Sequence, residues 1–221
     1  MKTNQKVLQI ENPIVLIGLV LLIFFSSCAV SSKVASNVTY VKSNFSTRSL
    51  EVGGLALLPV VAGSGVEGYR RPFGEVMNLV ADSLIQNFMT WNETLDKLND
   101  ADLVSEYNRA IVAYQETSII DKTILRKMQE ATGMDYFLFV LLAPPTSDTK
   151  ISHSIWTGNI TTTETKSVSA FALVWSAIDG DVVWEASSTA EVKTGSYTYT
   201  SETDMQRAEK VAKAIMSSLY K

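Results

Sequence analysis

Cysteine and histidine are nearly absent. The 221 residues contain one cysteine, Cys28, and one histidine, His153. A single thiol forms no internal disulfide, so the fold rests on its apolar core. A zinc centre needs three or four Cys, His or carboxylate ligands at recognisable spacing, and the sequence offers no such set. Nucleophilic hydrolysis commonly pairs a nucleophile with a histidine base. His153 stands alone in a polar stretch and reads as a surface residue. Basic excess is missing too: 19 Lys and Arg against 23 Asp and Glu give a net charge of −4. With no basic patch and no interleaved aromatics, nucleic acid is excluded as a partner. Asp96, Asp100 and Asp102 cluster, but they read as residues at a helix start, where capping accounts for them. No catalytic residue, metal or cofactor is expected, and the chain reads as a non-enzyme.

Long hydrophobic runs are also scarce. The longest extends from Ile14 to Phe25, behind Lys2 and Lys6, and breaks at Ser26-Ser27-Cys28. As a helix it would rise about 18 Å, well short of the roughly 30 Å of a hydrocarbon core. That length suits the apolar part of a signal peptide better than a permanent span. Small residues directly before Cys28 resemble a bacterial lipobox, with Phe25 where the commonest version has Leu. The resemblance implies cleavage between Ser27 and Cys28, diacylation of the thiol (palmitate being a typical chain) and acylation of the new amino group. Two or three chains hold a protein on a membrane, whereas one does so only marginally. Ala29 stands where Asp would retain an enterobacterial lipoprotein at the inner membrane. The resemblance therefore implies an outer-membrane protein facing the periplasm.

Removing residues 1–27 leaves 194 residues with a net charge of −5, since Lys2, Lys6 and Glu11 go with them. That is enough for one domain. Residues 28–50, rich in Ser, Thr, Asn and Val without a period, read as a flexible tether, and 51–221 as a single domain. Within it, 52–62 is a short apolar run and reads as a buried strand with Pro59 near its end. Gly63, Gly65 and Gly68 then lead to a helix starting at Pro72. A phosphate-binding loop is rejected there, because the Lys-Ser/Thr pair is missing and Arg70-Arg71 read as solvated. Phe73, Val76, Met77, Val80, Leu84, Ile85 and Phe88 keep helix spacing. A weak edge strand is expected within 91–98, a helix from Asp100, and a helix capped by Asp121 and stopped by Gly133.

Tyr136 to Ala143 is the second strongly apolar strand, and Thr146 to Lys166 is polar. Val168–Ile178 and Val182–Val192 predict a hairpin about Asp179-Gly180. A two-residue turn would set Trp175 opposite Trp184. A longer turn with Gly180 as a bulge would set Trp175 opposite Val182, and either way the two tryptophans would be neighbours. Ser201 to Asp204 predicts a capping box, with Ala208, Val211, Ala212, Ile215, Met216 and Leu219 on one helix face. The order of elements gives an α+β fold with an α/β-like start, a mixed β-sheet with helices packed against it.

Three of these segments, taken in order, resemble a known superfamily. Leu55-Ala-Leu-Leu-Pro59 is similar to the opening "VAVLPF" strand of the curli-secretion (CsgG-like) lipoproteins, the lipoprotein activators of penicillin-binding proteins and the GNA-type lipoproteins. Ala131 to Leu138 resembles their "lGADYLL" motif, and Val174 to Trp184 their "vWDakTGevvW" hairpin. The resemblance implies a CsgG-like or TolB-N-like domain. It also implies an adaptor, assembly factor or activator docking on another envelope protein, or alternatively a ring-forming part of an outer-membrane secretion apparatus. Membrane strands of such a pore need about nine to eleven alternating residues each. Thr146 to Lys166 scatters Ile151, Ile155, Trp156 and Ile160 among polar residues and supplies no such pattern. It reads instead as an exposed β-hairpin or a partner-binding loop carrying His153, Ile155 and Trp156. Oligomeric state is left open.

Overall fold

The computed structural model describes residues 31–153, 160–195, 200 and 202–220. The elements run β1 (Lys33–Val41), α1 (Thr47–Gly53), β2 (Leu55–Leu57), β3 (Val61–Ala62), α2 (Arg70–Leu84), β4 (Phe88–Met89), α3 (Trp91–Asp100), α4 (Val104–Thr117) and α5 (Lys122–Thr132). Then come β5 (Tyr136–Leu142), β6 (Thr146–His153), β7 (Ile160–Ser176), β8 (Asp181–Thr194) and α6 (Asp204–Leu219). Eight strands form one sheet in the order β1-β8-β7-β5-β2-β4, with β3 beside β5 and β6 beside β7. β2 is parallel to β4 and β5, whereas β7 is antiparallel to β5, β6 and β8. The fold class is therefore a mixed sheet with helices packed on it, as the alternation of apolar runs predicts.

Both faces of β2 and β5 are buried, because successive side chains enter different cores. Leu55, Leu57, Leu138 and Val140 meet Phe73 and Met77 of α2 and Val211, Ile215 and Met216 of α6. Ala56, Phe137 and Phe139 meet Leu98, Ile111, Leu125 and Met128 of α3, α4 and α5. This two-sided burial is why both strands read as continuous apolar runs rather than alternating ones. In the second core Trp175 stacks on Phe139, centroids 5.0 Å apart, and meets Tyr114 edge-on at 5.0 Å.

The β7–β8 turn settles the register left open by the sequence. Trp175 pairs with Val182 and Val174 with Trp184, so Val183 is an extra residue on β8. Gly180 has φ +68°, and a side chain there would run into Lys122. The bulge alters one expectation. Val183 and Trp184 both enter the first core, while Trp175 enters the second, so the tryptophans lie on opposite faces of the sheet.

Several boundaries differ from the sequence reading. The largest difference is the tether expected over 28–50. Residues 33–41 form a nine-residue edge strand paired antiparallel to β8, from Lys33 opposite Glu191 to Val41 opposite Trp184. α1 comes next and buries Leu50. The folded domain thus begins by Lys33 rather than at residue 51. The 52–62 strand is split, since Pro59 lies between β2 and β3. The edge strand expected within 91–98 is helix α3, and the short strand is Phe88–Met89. Asp96 and Asp100 therefore lie inside and at the end of α3, and Asp102 occupies the connection to α4 with φ +56°. None of the three is at a helix start.

The caps of α5 and α6 are side-chain caps. Asp121 accepts from the Thr123 N–H, and Gly133 ends α5 at φ +74°. For α6 the capping box is Thr203 with Gln206, two residues later than the Ser201–Asp204 reading. Thr203→Ala should lower unfolding free energy by about 1 kcal/mol in a denaturant titration, with an unchanged slope.

Candidate functional site

Cys28 and Ser27 lie outside the described residues, as do Ile155, Trp156 and the side chain of His153; the backbone of His153 pairs with Ile160. Ser31 and Ser32, three and four positions after the cysteine, are held in place. Lys33, the first residue of β1, stands five positions after Cys28, a reach of at most about 18 Å. Directly before β1 the chain is latched to the start of α6. The Ser32 N–H donates to Glu202 Oε2 at 2.7 Å and its hydroxyl to Oε1 at 3.0 Å. Lys210 Nζ sits 2.6 Å from Glu202 and donates to Ser31 Oγ at 2.8 Å. Arg207, 2% exposed, donates to the Glu202 carbonyl at 2.9 Å and pairs with Asp204, fixing the latch from beneath.

Burial raises the Glu202 carboxyl, but the bonds from Lys210 and Ser32 outweigh it, and the group titrates below its ordinary 4.5. A carboxylate with a depressed folded-state value contributes stability that is present above the unfolded value and lost as pH falls through the folded one. Acidification below 4.5 should therefore release Ser32, read as faster exchange of its amide proton. In Glu202→Gln that amide should exchange fast at neutral pH and show no acid step.

The latch fixes the orientation of the chain's start. Lys33 pairs with Glu191 and Glu191 with Ser167, while β7 extends seven residues further out, to Ile160. At about 3.4 Å per residue, β7 projects roughly 24 Å beyond Lys33 at Ile160, at the same end as Ser31 and Ser32. Ile151 and Ile160 on its arms are 69% and 65% exposed. Within the polar segment, Thr146–His153 and residues 160–166 are thus two antiparallel arms that carry exposed side chains.

A second surface has no helix over it. α6 covers one face of β7 and β8, where Val168, Ala170, Ala186, Ala190 and Val192 are buried. On the opposite face α3, α4 and α5 reach only the end of β7 at Leu173 and Trp175. Beyond them Phe171 is 50% exposed and pairs with Ser187, and Tyr40 of β1 is 45% exposed and pairs with Glu185. Around these rings the hydroxyls bond laterally: Ser169 to Thr189 at 2.8 Å, and Thr146 to Ser167 at 2.6 Å. Hydroxyls already paired keep their bonds when water leaves, so covering this face costs less than covering isolated polar groups. Sequence reasoning missed the latch and the face. Both depend on β1, whose pairing brings Ser32 to Glu202 and Tyr40 to Glu185.

Among the described residues no group of three or more His, Cys, Asp and Glu is placed to hold a metal, and no helix is long and apolar enough to cross a membrane. The class defined by this geometry is an α+β domain with one open sheet face. No protein-family model matches the chain, and no curated protein sequence matches it. Among solved structures it is similar to the PelC dodecamer from Paraburkholderia phytofirmans, at 9% identity over 86% of this chain and 97% of that one, with a TM-score of 0.46. It is also similar to lipoprotein GNA1162 from Neisseria meningitidis, at 13% identity over 74% and 95%, with a TM-score of 0.35. A third likeness is to a neuraminyllactose-binding hemagglutinin homolog from Helicobacter pylori, at 12% identity over 75% and 80%, with a TM-score of 0.40. At such identities and scores these likenesses carry nothing about what this chain binds.

Proposed function

We propose that the chain is a lipid-anchored envelope protein, held on the periplasmic side of the outer membrane through Cys28, that acts without catalysis as an adaptor or assembly factor for a partner envelope protein. One observation supports this above the rest: the sheet face around Phe171 and Tyr40 is left uncovered, with its hydroxyls paired to each other. The short path from Cys28 to Lys33, at most about 18 Å, keeps the start of β1 close to the bilayer. Membrane tethering raises effective concentration, so contacts of modest affinity suffice for docking. The lipobox at Cys28 and the resemblance of the Val174–Trp184 hairpin to secretion-linked lipoproteins point the same way.

The test is site-specific photocrosslinking from position Ser187 in the native envelope. A discrete crosslinked product with a different envelope protein, lost in Phe171→Asp, is expected. A ladder of products containing only this chain would favour the ring-forming alternative. Absence of any product that depends on Phe171 would overturn the reading.

A further inference from the structure

The α2 amino terminus opens onto a cavity of about 450 Å³ that the proposed adaptor role does not use. It lies past the carboxyl end of β2, between α2, α3 and α4, the place where open α/β sheets bind small ligands. Its volume falls in the range of small-molecule sites. Val60, Leu95 and Val104 give it apolar walls.

The polar lining holds four donor side chains, Arg70, Arg71, Tyr107 and Trp91, alongside Glu67 and Asn108, which carry acceptor oxygens. Arg70 and Arg71, the first two residues of α2, both face it, and no side-chain cap occupies the helix end. Arg71 has Glu75 as an ion-pair partner at 3.8 Å, and Arg70 is in no ion pair among the described residues. Tyr107 lines the floor and is 5% exposed. Its hydroxyl makes no hydrogen bond among the described residues, and the Arg70 guanidinium is its nearest electrostatic influence. Trp91 also lines the cavity, its indole N–H packed over Gly74 without an acceptor, and Asn78 fixes its backbone N–H at 3.1 Å. Buried donors are ordinarily satisfied, and the indole N–H is one that no described residue satisfies, while the Tyr107 side chain on the cavity floor offers a second donor to an acceptor. Glu67 also lines the cavity.

We infer that this cavity binds a small, singly charged carboxylate, with its head group on Arg70 and the Tyr107 hydroxyl and its body against Trp91 and Leu95. Arginine offers a forked pair of donors that fits a carboxylate. With Arg71 paired to Glu75, Arg70 is the guanidinium left for the head group, which suits one negative charge rather than two.

The test uses the full chain in detergent and tracks the Trp91 indole N–H resonance, assigned by its loss in Trp91→Phe. Benzoate, galacturonate and inorganic phosphate are titrated separately. At least one carboxylate is expected to shift the signal saturably below about 10 mM, a binding free energy near 3 kcal/mol. Arg70→Ala should weaken that binding about tenfold, the loss of one charge-assisted hydrogen bond. Tyr107→Phe should weaken it about threefold with unchanged thermal unfolding, since the hydroxyl supports nothing in the fold. The idea fails if neither carboxylate shifts the signal, if both substitutions leave binding unchanged, or if phosphate binds as tightly as the better carboxylate. Because the cavity is remote from Phe171, the outcome is separable from that of the crosslinking experiment.

Discussion

Trp175→Ala is expected to remove about 3–5 kcal/mol of stability, much of what a domain of this size possesses. Trp175 is 1% exposed and bridges β7 to α4 through Tyr114 and to β5 through Phe139. Deleting the indole leaves a void walled by rigid strands, which relax poorly, so the lost contacts are not recovered. Its N–H has no acceptor, and this refines the expectation. Trp175→Phe removes that unsatisfied donor as well as volume, and the two effects offset each other. Phe should therefore cost less than half of what Ala costs. Denaturant unfolding of the two variants checks both the size and the order, and a Phe variant as unstable as the Ala variant would show that shape alone matters at this site.

The second large effect concerns β1. A chain beginning at Ser31 should unfold cooperatively as a monomer. A chain beginning at Lys42 lacks the partner of β8 and loses a ladder whose hydrogen bonds contribute about 0.5–1.5 kcal/mol each. It also bares the edge of β8 from Trp184 to Glu191, carrying Trp184, Ala186 and Ala190. Such an edge pairs with other copies. The expected result is loss of the cooperative transition and growth of oligomers on size exclusion. Were residues 33–41 a passive tether, the shorter chain would behave like the longer one.

Most of the fold is legible in the residues where one side of an element is apolar. The stripe of α6, the run at β5 and the Asp179-Gly180 turn are found where the sequence indicates them, and that of α2 as far as Leu84, Phe88 belonging to β4 instead. β1 is not legible, because its residues are exposed on both sides and so carry no alternation for a core to impose. Its position comes from pairing with β8, a long-range contact that no local pattern encodes. α3 is legible through capping rather than apolar spacing: Thr90 and Glu93 form a reciprocal capping box, which marks Trp91 as the start of a helix. The same spacing, with Gln in place of Glu, puts the start of α6 at Thr203 and Gln206 better than Ser201 does. Of the candidate surfaces, only the hairpin from Thr146 to Lys166 is visible in the residues themselves. Arg70 and Arg71 read as solvated because Tyr107, which meets them in the cavity, lies 37 positions away from Arg70 on another helix.

The latch gives the anchor a physical consequence. Acyl chains on Cys28 would be joined to the sheet by four residues and then by Glu202, Lys210 and Arg207, so force or position at the bilayer reaches α6 directly. That coupling requires the cysteine to be lipidated. Mass spectrometry of the amino-terminal peptide from native membranes is the most direct measurement. The expected result is a chain that starts at Cys28 with a diacylglyceryl thioether and an acylated amino group. A chain still starting at Met1, or one with a free Cys28 thiol in the soluble fraction, would contradict it.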